Sequence, residues 1–78
     1  MPDIAPELPP AGIRLIRETR QESRKEFAEV VGVTRATVGS WERGVRPPSD
    51  AHRVAIVDAI PEDLTIESVL AAEDRLGD

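Results

Sequence analysis

Apolar residues recur along this chain at three- and four-residue spacing in five short stretches, and no stretch alternates with the two-residue period of a strand. The first runs from Ala11 to about Gln21, with Ile13 and Ile16 beside Arg17 and Arg20. Ser23 then offers an N-cap with Glu26 three residues on, the spacing of a capping box. The helix predicted behind it places Phe27, Val30 and Val31 at i, i+3 and i+4 and ends at Gly32, which takes positive φ without steric cost. Thr34 is the next cap, followed by Val38 and Trp41 on one face and by Gly44.

Val45-Arg46-Pro47-Pro48 reads as a connecting loop. Ser49 or Asp50 caps a fourth helix expected through Ile60, with Ala51, Val54, Ala55 and either Ile56 or Val57 inward. Pro61 interrupts the pattern. Thr65 caps a fifth helix with Ile66, Val69 and Leu70 apolar, and Gly77 lies past its end. The expected class is all-α with five short helices.

Three parts are expected. Residues 1–10, with four prolines, read as a flexible or surface-draped arm. Residues 11–60 form the main domain, and residues 61–78 carry the last helix.

At 78 residues there is room for one small domain of marginal stability. With no cysteine, disulfides, thiolate metal sites and a cysteine nucleophile are excluded. His52 is the one histidine and has no second metal ligand near it in sequence, so neither a metal nor a cofactor is expected. No glycine-rich phosphate loop and no nucleophile–base pairing organises catalysis, and an enzyme is not expected. The longest apolar runs are short of a membrane span and no secretory signal opens the chain, so the expectation is a soluble cytoplasmic protein with no membrane partner.

The net charge of −5 argues at first against a nucleic-acid partner, but its distribution argues for one. Residues 14–46 hold eight bases against five acids, while the segments on either side are acidic. A basic middle between acidic ends suits an anionic partner on one face.

That middle also contains two short helices joined by Gly32-Val33-Thr34, with small Ala28 four residues before the glycine and Val38 and Trp41 after it. A tight helix-turn-helix needs this pattern: a small residue for close approach, a glycine for the left-handed turn and apolar residues to pin the second helix across the first. The outer face of the second helix then projects Arg35, Ala36, Thr37 and Ser40. Such a face has the width of a DNA major groove.

From Ile13 to about Leu70 the sequence resembles the Cro and C1-repressor type of helix-turn-helix regulators, also called the xenobiotic-response-element family. The strongest stretch is EFAEVVGVTRATVGSWERGVRPPS, Glu26 to Ser49. Within it, Trp41-Glu42-Arg43-Gly44 followed by a basic residue and proline is similar to the family's hallmark after its recognition helix. The resemblance implies a five-helix, lambda-repressor-like DNA-binding domain.

The resemblance also implies roles. Arg35 and Ala36, joined by Thr37 and Ser40, match positions that read base edges, and an arginine paired to guanine is worth roughly 1–3 kcal/mol of discrimination. Arg24, Lys25 and Thr34 at the helix starts, Arg43 and Arg46 after the recognition helix, and Ser49 at the next helix start match phosphate contacts. Arg17 and Glu42 match a buried ion pair tying the first helix to the third. Small regulators of this family pair through the C-terminal region, which here offers Ile66, Val69, Leu70 and Leu76, so a homodimer on palindromic double-stranded DNA is implied.

The implied function is a sequence-specific transcriptional regulator, a repressor from a bacterium or phage. Two alternatives stand beside it. One is an antitoxin or restriction-controller protein whose acidic C-terminal half binds a protein while its middle binds DNA. The other is a protein-interaction module with this fold that does not bind DNA.

Some residues depart from the family pattern. Gln21 and Glu22 stand where the linker usually has a glycine and an apolar residue, which predicts a longer first helix and looser packing. Val30 is apolar where a polar residue is commoner. Gly39 lies inside the recognition helix at a cost of about 1 kcal/mol against alanine, and reads as a point of close approach to the DNA backbone.

Overall fold

The computed structural model describes residues 6–72, which fold into five α-helices with no strand among them. They are α1 (Pro10–Thr19), α2 (Arg24–Val31), α3 (Arg35–Glu42), α4 (Asp50–Asp58) and α5 (Ile66–Ala71). Four of the five starts are fixed by a hydroxyl cap. Ser23, Thr34, Ser49 and Thr65 accept from the amides of Glu26, Thr37, His52 and Ser68, and at Ser23 the capping box is complete. Helix α1 starts differently, with extended Pro9 at its N-cap and Pro10 inside its first turn, where no amide donor is needed.

Helices α1, α2 and α3 each end on a residue in the left-handed region: Gln21 (φ 60°), Gly32 (φ 81°) and Gly44 (φ 73°). At Gln21 the amide donates to the Glu18 carbonyl at 2.9 Å and the next amide, Glu22, reaches back to Arg17 at 3.2 Å. Gly44 and Val45 repeat that pair of bonds onto Trp41 and Ser40 at 3.2 and 3.0 Å. The first helix therefore ends at Thr19, short of the expected Gln21. The backbone turns at Gln21 although no glycine is there.

Nor is the linker loose. Arg20 grips the Glu22 carboxylate through Nε (2.8 Å) and Nη2 (3.0 Å), and its Nη1 donates to the Ala59 carbonyl at the end of α4 (3.0 Å). Arg17 Nη1 donates to the Glu22 carbonyl at 3.1 Å.

The core is Ile13 and Ile16 from α1, Phe27, Ala28 and Val31 from α2, Val38 and Trp41 from α3, Ile56 and Ala59 around α4, Val69 from α5, and Leu8. Each large apolar side chain removed from water here contributes roughly 1.5–3 kcal/mol. Leu8 is buried in this core, so the described part of the segment ahead of α1 drapes over the domain and is anchored by its own apolar side chain. Ile4 lies outside the described residues, as do Leu76 and Gly77.

Val69 is fully buried within one chain, where it packs beside α1. The approach of α5 to α1 depends on Gly12, where a Cβ would stand 2.4 Å from the Val69 carbonyl oxygen and 2.9 Å from its side chain.

Helix α4 ends at Asp58 rather than Ile60 and turns Ile56 fully inward, while Ala51 and Val54 face solvent. Its apolar residues occupy more than one face, so spacing alone did not define the buried one.

Candidate nucleic-acid interface

Helix α3 is held by its inner face. Val38 and Trp41 are buried against α1 and α2, and Trp41 meets the His52 ring of α4 with centroids 5.6 Å apart. At its last turn the Glu42 carboxylate, only 2% exposed, accepts from Arg17 Nε at 2.7 Å and Nη2 at 3.0 Å. This two-pronged pair ties α1 to α3 as the resemblance implied. Hydrogen bonding to Glu42 raises the Arg17 pKa, against desolvation that lowers it, so the guanidinium stays charged.

The N-terminal half of α3 presents its other face outward, where it meets the start of α2. A concavity of about 710 Å³ lies between them, and five cations line it: Arg17, Arg24, Lys25, Arg35 and Arg43. The small Ala36 and Gly39 line it as well. No carboxylate is among its lining residues. A positively lined recess with low-dielectric walls focuses potential onto an anion.

The described cations divide by what they touch. Arg14, Arg17, Arg20, Arg24 and Arg53 each have a carboxylate partner, respectively Glu18, Glu42, Glu22, Glu42 and Asp50. Lys25, Arg35, Arg43 and Arg46 have none among the described residues. All four are exposed, and three of them line the concavity.

The structure thus brings together Arg24, Lys25, Arg35, Ala36 and Arg43 from the expected contact set. Arg24 is intermediate in character: its Nε donates to Glu42 at 3.2 Å, yet nearly half of its side chain is exposed. The remaining expected contacts do not line the concavity. Thr34 and Thr37 are tied to each other, hydroxyl to hydroxyl at 2.9 Å, at the α3 cap. Ser40 is half-buried further along α3, and Arg46 stands in the loop after it. Ser49 caps α4, with its hydroxyl 3.1 Å from His52 Nδ1.

One participant and one contact were missed. Arg17, read as purely structural, also lines the recess. At Gly39 a Cβ would meet the Arg43 side chain, with Nη1 at 3.0 Å. The four-residue spacing of Gly39 and Arg43 was the available signal. Of the expected pairing residues, Leu70 is exposed, Ile66 is half-buried and Val69 is inside the core.

Two short helices crossed at a glycine turn, the second carrying an outward face of small and cationic residues, define a helix-turn-helix DNA-binding domain. A family model described as helix-turn-helix, of the Cro/C1 type, matches residues 13–66, more than half of the chain. The protein belongs to this Cro/C1-type helix-turn-helix family of DNA-binding transcription regulators. Searches of curated proteins and of solved structures return no match.

Among the described residues no helix is long and apolar enough to cross a membrane.

Proposed function

We propose that this protein is a sequence-specific repressor that acts in the cytoplasm and enters the major groove of operator DNA with α3. The observation that carries the reading is the segregation of charge: three of the four described cations left without carboxylates gather at the α2–α3 recess. In this reading Arg35 reads a base edge, with Ala36, Thr37 and Ser40 offering short contacts beside it. Lys25, Arg24, Arg46 and the capped starts at Thr34 and Ser49 hold phosphates.

The protein binds as a homodimer on a palindrome, with the two recognition helices about 34 Å apart. Support for pairing comes from apolar side chains that one chain leaves open, Leu70, Val54 and Val30. With Val69 committed to the core, Ile66 and Leu70 are what α5 contributes.

A second reading adds a protein partner, as in an antitoxin or controller. It is favoured by the exposed carboxylates Asp58, Glu62, Asp63 and Glu67 in the C-terminal half.

The test is fluorescence anisotropy with the promoter upstream of the protein's own gene, against scrambled DNA of equal length, at about 150 mM salt. Tight binding to the promoter alone, lost in Arg35→Ala, is the expected result. Equal weak binding to both DNAs, unmoved by that substitution, would sink the operator reading. If about five phosphates are neutralised per subunit, log affinity falls with log salt at a slope of about −4 to −5 per subunit, about twice that for the dimer.

A further inference from the structure

Arg43 is the last residue of the α3 region, in the position where a chain leaving its recognition helix would turn a cation toward the DNA backbone. Its side chain does something else. As the C-cap of α3 it keeps helical dihedrals (φ −89°, ψ −4°), so it continues the face that carries Ala36 and Gly39. Helical side chains lean toward the N-terminus, and Arg43 leans back one turn until Nη1 lies 3.0 Å from where a Gly39 Cβ would be.

Gly39 is buried although that face looks outward, and no other neighbour stands within 4 Å of that Cβ position. The guanidinium is therefore laid along a strip of helix with almost no side chains of its own, and it points into the recess shared with Arg35. It has no carboxylate partner among the described residues.

We infer that Arg43 is a second base-reading residue of this protein, and that Gly39 is the positioning residue that lets its guanidinium lie along α3. The inference rests on the DNA-reading function proposed above and adds a specificity determinant to it. A cation clamping phosphate stands at the edge of the docked helix, whereas one lying along the exposed strip between Ala36 and its own Cα faces the groove floor. The small residues of the strip leave the guanidinium low on the helix surface, and the planar fork of arginine matches the O6 and N7 acceptors of guanine. Gly39, over which the Arg43 guanidinium lies, is about one helical turn from Arg35, roughly 6 Å along the axis of the backbone helix, so the two arginines address different base pairs.

Arginine and lysine separate the two roles. A phosphate clamp needs charge, which lysine supplies, and a base reader needs the two-pronged fork, which lysine lacks. The experiment is selection from a pool of randomised duplex DNA, followed by sequencing. It uses the full chain and the variants Arg43→Ala, Arg43→Lys and Gly39→Ala, with melting temperatures taken in parallel.

The expected result is a wild-type motif from which both Arg43 variants erase the preference at one and the same base pair per half-site. That preference is worth roughly 5- to 150-fold, and the rest of the motif persists. Gly39→Ala weakens the same base pair while its melting temperature holds or rises, because alanine favours the helix. A merely structural glycine would not separate those two readouts.

A uniform fall in affinity that lysine restores, or an unchanged motif in both Arg43 variants, overturns the inference. A wild-type protein that enriches no motif overturns instead the DNA-reading function beneath it.

Discussion

The arginines of α1 and those around α3 look alike in the sequence but differ in what surrounds them. Along α1, Arg14, Arg17 and Arg20 each close on a carboxylate, and two of them also reach carbonyls that join separate parts of the chain. Around α3, Arg35 and Arg43 close on nothing among the described residues and stand beside the recess. A satisfied guanidinium has spent its donors on holding the fold, and an unsatisfied one keeps them for a ligand. Partner assignment therefore separates architecture from recognition where a count of charges per segment does not. Arg24, half exposed and sharing Glu42 with Arg17, stands between the two groups.

The sharpest way to break this contrast is to remove one arginine from each group. Arg17→Ala leaves the Glu42 carboxylate buried with only Arg24 beside it, and urea unfolding is expected to show a loss of about 3 kcal/mol. In a domain of this size that is a large share of the total. A loss below about 0.5 kcal/mol would place Arg17 among ordinary surface charges.

Gly12→Ala tests the same architectural side without touching charge. Its methyl group collides with the Val69 backbone, so α1 and α5 must part, at a cost of about 1–3 kcal/mol read as a lowered melting temperature. On the recognition side, Arg35→Ala is expected to change stability by less than about 0.5 kcal/mol. It is expected to lower discrimination between promoter and scrambled DNA by roughly 1–3 kcal/mol in the anisotropy titration. If the stability loss exceeded the binding loss, the two groups of arginines would no longer be distinct.

Smaller effects sharpen the local picture. Gln21→Gly relieves a side chain held in the left-handed region and is expected to stabilise the fold by about 0.5–1 kcal/mol in thermal unfolding. The smallest concerns pH. Glu26 has its pKa lowered below the ordinary 4.5, first by the Ser23 amide and then by the Ser23 side chain. Its contribution is therefore complete above that ordinary value and fades as pH falls through the lower folded one. Between pH 7 and pH 3 the wild type is expected to lose more melting temperature than Glu26→Gln, which keeps the hydrogen bond without the charge.

What was legible in the sequence was local. The caps at Ser23, Thr34, Ser49 and Thr65 and the turn at Gly32 rest on bonds spanning a few residues, so the residue types announce them. The helix-turn-helix was legible because its small residue, glycine and apolar anchors fall within one short stretch. The α1–α3 ion pair came with the family resemblance, since nothing local joins Arg17 to Glu42.

What was hidden depends on contacts across the chain. Leu8 looks like a loop residue until the core behind it is known. Gly12 shows no turn and reveals its purpose only when the α5 backbone arrives. Val69 sits on a short helix that offers both a core face and an open one. At Gln21 a glycine-type turn is made without glycine, held by bonds from Arg17 and Arg20 that no spacing rule predicts. Within the recess, Arg35 and Arg43 were both expected as contacts, but the direction of Arg43 required its geometry against Gly39.

Helix α3 keeps its two obligations on separate faces. Val38, Trp41 and Glu42 carry the fold, while Arg35, Ala36, Gly39 and Arg43 line the open recess. The outer residues form an alphabet that can be rewritten without editing the inner ones. Under the proposed function, a family built on this frame acquires new operators by few substitutions, with little risk to folding. The same separation would then let DNA specificity be redirected by exchange of the outward face alone.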